Sequence, residues 1–401
     1  MNTLAEKHIL LGITGGIAAY KTAELVRRLR EQQASVRVMM THAATQFITP
    51  LTLQTLSGQP VHTQLFDLQT EATIGHIELA RWADVLLIAP ATANCLAKLT
   101  HGIADDLLTT VCLATTAPIK VAPAMNQQMW QAAATQENCL KLQQYGIALW
   151  GPASGVQACG EIGAGRMLEP AELVELLQTA FTPQQLATVK VMVTAGGTRE
   201  AIDPVRFISN RSSGKMGYAV ARAAQQTGAE VTLISGMVNL PPPRGVTTIM
   251  VETAQQMFDA VQQHVSQCDI FISAAAVADY RPVDIAAKKM KKQSDSLEIQ
   301  LERTSDILAQ VAALSPPPFT VGFAAETDNV VEYAREKLQR KKLNMIAANQ
   351  VGQSLGFEQD DNALTVLWAD GEQHLPRCSK VELAQQLIAL IAQRYHLQRD
   401  C

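Results

Sequence analysis

A strand–turn–helix alternation runs through the first half of this chain and then starts again. Residues 8–13 form an apolar run that ends in Thr14-Gly15-Gly16. Over 17–31, Ala18, Thr22, Leu25, Val26 and Leu29 recur at a helical period. Residues 36–40 read as a second strand ending at Thr41, and 85–89 as a third ending at Pro90. A fourth, 119–122, ends in Pro123-Ala124-Met125-Asn126, and helical segments such as 127–144 separate the strands. Strands alternating with helices predict a parallel sheet covered on both faces. Right-handed crossovers bring all strand C-termini to one edge, where ligands bind.

After a polar, proline-containing stretch at 182–188 the pattern restarts. Residues 189–193 read as a strand ending in Thr194-Ala195-Gly196-Gly197, an echo of the first turn. A helix is expected over 213–227, and strands over 230–234, 270–276 and 320–324. Leu297, Ile299 and Leu301 alternate with Glu298, Gln300 and Glu302, the period of a half-exposed strand. Ser379 and Glu382 form a capping box before Val381, Ala384, Leu387, Ile388 and Ile391, expected on one helical face. The expected organisation is two α/β domains, 1–188 and 189–401. The first is a flavodoxin-like or Rossmann-like parallel sheet and the second a Rossmann-like domain. A length of 401 residues suits two or three domains of about 150 residues.

Composition narrows the function classes. With 47% apolar and 17% charged residues, disorder over most of the chain is excluded. A net charge of −4 lacks the basic footprint of a nucleic-acid binder. Apolar stretches such as 85–93 are too short to span a bilayer, and the start shows no signal-peptide core. The cysteines, at 95, 112, 139, 159, 268, 378 and 401, are odd in number and lack metal-ligand spacing. These features predict a cytoplasmic protein of a reducing compartment, without a membrane partner.

The turn Thr14-Gly15-Gly16 offers backbone N–H groups to one phosphate, or is a plain strand-to-helix turn. It is not GxGxxG, because Ile17 and Ala19 interrupt the pattern. His76, in Gly75-His76-Ile77, is a solvated histidine or a catalytic one. Cys159 lies among Gly155, Gly160, Gly163 and Gly165, which suits either a mobile flap or a surface loop with a spare thiol. In the second half, 209–217 fails the P-loop test, having Ser209 and Met216 where Gly and Ser/Thr belong. Lys288, Lys289, Lys291 and Lys292 make a solvated basic loop or one that closes on a triphosphate.

Taken together, these segments resemble a known family. Thr14 to Lys21, Gly75-His76-Ile77, Ala89 to Asn94, Pro123 to Trp130 and the Cys159 flap match the flavin-dependent cysteine decarboxylases. Asp203-Pro204-Val205-Arg206, Ile208 to Asn210, Ser212 to Gly217, Ala275 to Tyr280, Lys289 to Lys292 and Gly322 to Thr327 match the ligase motifs. The whole chain resembles the bacterial bifunctional phosphopantothenoylcysteine decarboxylase / phosphopantothenate–cysteine ligase family. Gly197 and Ala201 depart from it, standing where many members have proline.

The resemblance implies FMN held by Gly15, Gly16, Thr41, Thr92 and Asn94. It implies oxidation of a cysteinyl thiol to a thioaldehyde, which serves as electron sink for CO2 loss. His76 would act near the thiol and carboxylate, Asn126 would bind the carboxylate, and Cys159 would donate a proton. For the second half it implies CTP, Mg2+ and an acyl-cytidylate. Asn210 would hold that intermediate and Lys289 would stabilise charge. Asp279, Lys289, Ser305, Asp306, Ile307, Leu308, Phe323, Lys337 and Lys341 would bind CTP. Arg206, Asn210, Ala275 and Ala276 would contact the substrate, with Lys337 and Lys341 on one face of a helix over 330–342. The metal ligands stay open. The family's assembly, decarboxylase trimers (in one form a dodecamer) and ligase dimers, would let His76 serve a neighbour's flavin. Competing readings are a non-enzymatic flavoprotein, a decarboxylase of peptide C-terminal cysteines, and an NAD-dependent dehydrogenase, the last disfavoured by the missing fingerprint.

Overall fold

In a computed structural model, the apolar runs of the first half become the strands of one parallel sheet. The structure describes residues 3–66, 75–291, 297–326, 329–350 and 361–399, without the side chains of Glu326 and Gln350. Lys292 and Thr327 lie outside the described residues. The chain divides after Phe181 into two units.

The first unit runs β1 (His8–Ile13), α1 (Lys21–Glu31), β2 (Ser35–Met40), α2 (Pro50–Ser57), β3 (Val61–His62) and α3 (Gly75–Trp82). It continues with β4 (Val85–Ala91), α4 (Ala93–His101), α5 (Leu107–Ala114), β5 (Ile119–Pro123), α6 (Gln127–Gln131) and α7 (Ala133–Gln144). It closes with β6 (Ala148–Leu149), β7 (Ala153–Val156), β8 (Ile162–Arg166) and α8 (Pro170–Phe181). Sheet order is β3-β2-β1-β4-β5-β6, so the order reverses between β1 and β4. That is the doubly wound Rossmann order, with its ligand crevice at the reversal. Every residue of β4 is buried, because both faces of the sheet are covered. Helix α1 buries Thr22, Leu25, Val26 and Leu29, the stripe its spacing predicts.

Two expectations need correction here. The strand at Val85 is the fourth in chain order, since β3 intervenes as a two-residue edge strand too short to leave a period. The helix expected over 127–144 breaks at Ala132, whose ψ of 133° is extended, with no Gly or Pro to mark it.

The second unit opens with β9 (Lys190–Ala195), β10 (Arg199–Ala201), β11 (Phe207–Ser209), α9 (Lys215–Gln226), β12 (Glu230–Ser235) and β13 (Thr247–Met250). Next come α10 (Ala254–His264), β14 (Ile270–Ser273), β15 (Tyr280–Pro282), β16 (Leu301–Arg303), α11 (Ile307–Ala312) and β17 (Phe319–Glu326). The last elements are α12 (Val330–Arg340), β18 (Met345–Gln350), β19 (Asp361–Trp368), β20 (Gly371–Ser379) and α13 (Lys380–Arg399). Its main sheet is ordered β13-β12-β9-β14-β17-β18-β19-β20. The first six strands repeat the first unit's order, and Leu186 already packs into this core.

Five differences from the sequence reading appear in this unit. β19 and β20 add an antiparallel edge to the expected parallel sheet. β14 stops at Ser273, after which Ala276 forms an isolated bridge with Gly197. Of the 297–302 segment only its end joins β16, and Leu297 and Leu301 are exposed. That ribbon pairs with β15 outside the main sheet, so neither face meets a core. α12 ends at Arg340, leaving Lys341 as its C-cap residue. The Ser379–Glu382 capping box forms as read, but Val381 is 48% exposed and Leu383 takes the inward place. Among the described residues no helix is long and apolar enough to cross a membrane.

Candidate functional site

At the first reversal point, buried Thr14 joins two strand ends. Its Oγ1 donates to the Pro90 carbonyl at 2.7 Å and accepts from Thr92 N at 3.0 Å. Gly15 packs against Ala43, where a Cβ would collide. Ala43 is placed by the short helix His42–Gln46, whose N-cap Thr41 accepts from Ala44 N at 3.3 Å. Thr92 caps α4 and Asn126 caps α6, the latter through Oδ1 at 2.8 Å from Gln128 N. Strand ends of β1, β4 and β5 thus present Gly15, Gly16, Thr92 and Asn126 to one crevice.

The glycine-rich segment is a two-stranded hairpin, β7 with β8, carrying Cys159 at its exposed tip. Gly165 has φ of +141° and rests on Met125, whose N donates to the Gly165 carbonyl at 2.9 Å. A Cβ at Gly165 would strike the Met125 oxygen. Asn126 Nδ2 donates to Glu161 Oε2 at 2.7 Å and lies 3.5 Å from Cys159 Sγ. Gln157 Oε1 accepts from Gln127 N at 3.1 Å, pinning the flap to the start of α6.

A cavity of about 600 Å³ results, lined by Gly15, Gly16, Thr92, Asn126 and Cys159 among apolar side chains such as Ile17, Met129 and Val156. Thr41, Asn94 and His76 are outside that lining. Thr41 caps the short helix whose Ala43 packs against Gly15, Asn94 is exposed on the first turn of α4, and His76 is half-buried on the first turn of α3. Gln157 and Glu161 escaped the sequence reading. The one signal for Glu161 is that it is the acid within the glycine-rich flap. Cysteine environments separate sharply. Burial pushes the Cys95 and Cys268 thiols up to about 12, and raises Cys112 as well. Cys159 is the exposed thiol among the described residues.

The second reversal lies between β9 and β14. Ala276 N donates to the Gly196 carbonyl at 2.8 Å, and Ala275 N to Thr194 Oγ1 at 3.3 Å. Asn210 Nδ2 donates to the Val277 carbonyl at 3.0 Å. A cavity of about 160 Å³ is lined by Ala275, Ala276 and Phe323, with the 212–217 turn and Asn349, Asn362 and Lys380. The last three were not foreseen. Lys380 had a signal, because a cation in the first turn of a helix opposes the macrodipole.

Outside this cavity's lining, the remaining candidates form tied groups. Asp203, its side chain fully buried, accepts from Arg206 Nη2 at 2.6 Å and from Met290 N at 3.2 Å. The Arg206 guanidinium, helped by the Val205, Arg206 and Met290 N–H groups, overcomes burial. It holds the Asp203 carboxyl well below the usual carboxylate range. Arg206 also donates to the Met290 carbonyl at 3.2 Å, so Met290 is gripped on both sides. Lys288, Lys289 and Lys291 are exposed around that grip. Lys337 Nζ donates to the Phe323 carbonyl at 3.1 Å. Lys341 pairs with Asp306 at 2.6 Å. Burial pushes the Asp306 carboxyl up, but the Lys341 and Ala309 bonds outweigh it and hold it low. Asp279 is exposed and its carbonyl accepts from Thr304 N at 3.0 Å, next to exposed Ser305. Ile307 and Leu308 side chains are buried, so those two residues present backbone rather than side chains. Among the described residues no group of three or more His, Cys, Asp or Glu could hold a metal ion.

A family profile described as Flavoprotein matches residues 1–182. Another, the DNA/pantothenate metabolism flavoprotein C-terminal domain, matches 186–395. The coenzyme A biosynthesis bifunctional protein CoaBC of Vibrio vulnificus (strain CMCP6) is 55% identical over 98% of each chain. Its namesake in Escherichia coli (strain K12) is 54% identical, again over 98% of each. The Bacillus subtilis (strain 168) protein of that name is 44% identical over 97% of each. A solved C-terminal domain of a CoaBC protein aligns at 43% identity over 54% of this chain and 100% of its own, with a TM-score of 0.46. Two profiles and full-length relatives agree: the chain belongs to the CoaBC family of bifunctional coenzyme A biosynthesis proteins.

Proposed function

We propose that the second unit ligates cysteine to 4'-phosphopantothenate using CTP, and that the first decarboxylates the resulting 4'-phosphopantothenoylcysteine using FMN. The observation that carries the first half is a juxtaposition. Asn126, whose amide donates to a carboxylate, lies 3.5 Å from the Cys159 thiol in the cavity that Gly15 and Gly16 help to line.

The residues present fit a flavin. Largely apolar walls suit a planar ring, and the side-chain-free Gly15-Gly16 turn suits one phosphate. Bound FMN would supply the reversible two-electron chemistry that makes CO2 loss possible. Thr92 contributes to its cradle, Thr41 shapes that cradle through Ala43, and Asn94 serves from the start of α4. The Asn126 amide binds the substrate carboxylate, and Cys159 delivers a proton to the decarboxylated product. His76 works near the thiol and carboxylate of a neighbouring subunit's site, which accounts for its position outside this chain's own cavity lining. That role needs a homo-oligomer, with decarboxylase trimers and ligase dimers as the building blocks.

In the second unit, the phosphopantothenate carboxylate attacks the α-phosphorus of CTP and releases pyrophosphate. The cysteine amine then attacks the acyl-cytidylate, forming the amide and releasing CMP. Asn210 holds the acyl-cytidylate beside Ala275 and Ala276. Lys289, with Arg206 gripping its neighbour Met290, stabilises the developing charge. Asp279, the 305–308 backbone, Phe323, Lys337 and Lys341 bind CTP. Mg2+ bound by the triphosphate would offset its charge. This reading carries with it a cytoplasmic location.

The test of the first half is optical. Purified protein is expected to be yellow with a flavin absorption spectrum, released as FMN on denaturation. A folded, colourless, flavin-free preparation would contradict the reading.

A further inference from the structure

We infer that Glu161 is an internal substitute for the substrate carboxylate, holding the Asn126 amide until an acidic substrate exchanges with it. The inference rests on the decarboxylase reading above and goes beyond it by assigning a residue that controls carboxylate binding.

Orientation comes first. The Asn126 oxygen is committed to the α6 N-terminus, accepting from Gln128 N at 2.8 Å. Its NH2 group must therefore face the flap, where Glu161 Oε2 accepts from it at 2.7 Å. This is a charge-assisted bond of the kind an external carboxylate would make. Gln127 Nε2 donates to the same Glu161 oxygen at 3.2 Å, so two amides converge on one carboxylate oxygen. The geometry is that of a small carboxylate-recognition site, filled by the chain itself.

Location comes second. Glu161 is exposed, on a flap whose strands contain Gly155, Gly163 and Gly165, so it can swing out without leaving a buried charge behind. Cys159, also on the flap, stays 3.5 Å from the same amide. Exchange thus places an incoming carboxylate on Asn126 beside the thiol. A ligand without a carboxylate has no reason to displace Glu161. Glu161 is a positioning residue in this scheme, and its effect is a tax on binding set by how often the amide is free.

The experiment compares two ligands on the flavin-loaded protein. KM is measured for 4'-phosphopantothenoylcysteine, and the inhibition constant for its decarboxylated product, 4'-phosphopantetheine. Glu161→Gln is expected to lower the KM about tenfold while the product constant stays within about twofold. Glu161→Ala, which cannot accept from Asn126 at all, is expected to lower the KM at least as far. A KM that is unchanged or raised, or a product constant that moves in parallel with it, would overturn the inference and leave Glu161 a flap-packing residue. Wild-type protein that releases no CO2 would overturn the decarboxylase reading and the inference together. An active wild type whose two constants keep their ratio in both variants would overturn the inference alone.

Discussion

The two units use one strand order and cover its reversal point in opposite ways. In the first, β1 and β4 flank a crevice with apolar walls. It is covered by a glycine-rich hairpin whose polar contacts converge on Asn126. In the second, β9 and β14 flank a smaller cavity lined by the 212–217 turn, Asn349, Asn362 and Lys380, and outside that lining a basic segment is fixed by the buried Asp203 carboxylate and Arg206. One scaffold thus carries two differently lined cavities. The difference lies in the loops and in the antiparallel edge of the second sheet, whose Asn362 lines its cavity. It also lies in the cysteines. Burial has silenced Cys95, Cys112 and Cys268 by raising their thiols, while Cys159 is held at an exposed loop tip.

If the sites are separate, each can be broken without the other. The largest effect is expected from Cys159→Ser. Phosphopantetheine formation should fall by at least about a hundredfold, as for loss of a positioned proton donor, with CMP release unchanged. Both products can be followed in one chromatographic assay. Lys289→Gln should do the reverse. CTP-dependent CMP release should fall about a hundredfold, while externally supplied phosphopantothenoylcysteine is still decarboxylated.

Smaller changes probe what holds the loops. Gly165→Ala places a Cβ against the Met125 carbonyl at a φ that disfavours side chains. It should destabilise the first unit by about 2 kcal/mol, seen as a lowered melting transition of the flavin-bearing unit. Asp203→Asn weakens the grip on Met290 and should raise the KM for CTP about tenfold. The sign of its pH dependence follows from the direction of its shift. A carboxyl held low in the folded protein contributes stability above its unfolded value of about 3.9 and loses it as pH falls. Acid unfolding of the Asp203→Asn variant should therefore show a shallower limb below about pH 4 than wild type.

How much of this was legible in the sequence depended on distance along the chain. Periodicity found α1 with its buried Thr22, Leu25, Val26 and Leu29, and apolar runs found β1, β2, β4, β5 and β9, because those signals are local. The turns after β1 and β9 were legible for the same reason, and topology then placed Gly15, Gly16, Thr92 and Asn126 at one crevice. Strand β3 was too short to show a period, and the break at Ala132 had no residue to announce it. The contact of Asn126 with Glu161 spans 35 positions, and that of Arg206 with Met290 spans 84, so no local pattern could have shown them. Leu297 and Leu301 misled, since alternation identifies a strand but not whether a core waits on its apolar side.

The most direct measurement is a single incubation of the full-length protein with 4'-phosphopantothenate, cysteine, CTP and Mg2+, run beside its Cys159→Ser variant. Wild type should yield pyrophosphate, CMP, CO2 and 4'-phosphopantetheine together. The variant should yield pyrophosphate and CMP at the wild-type rate, with almost no phosphopantetheine. Loss of CMP in parallel with phosphopantetheine, or equal support of the reaction by ATP, would contradict two separate sites with CTP at the second.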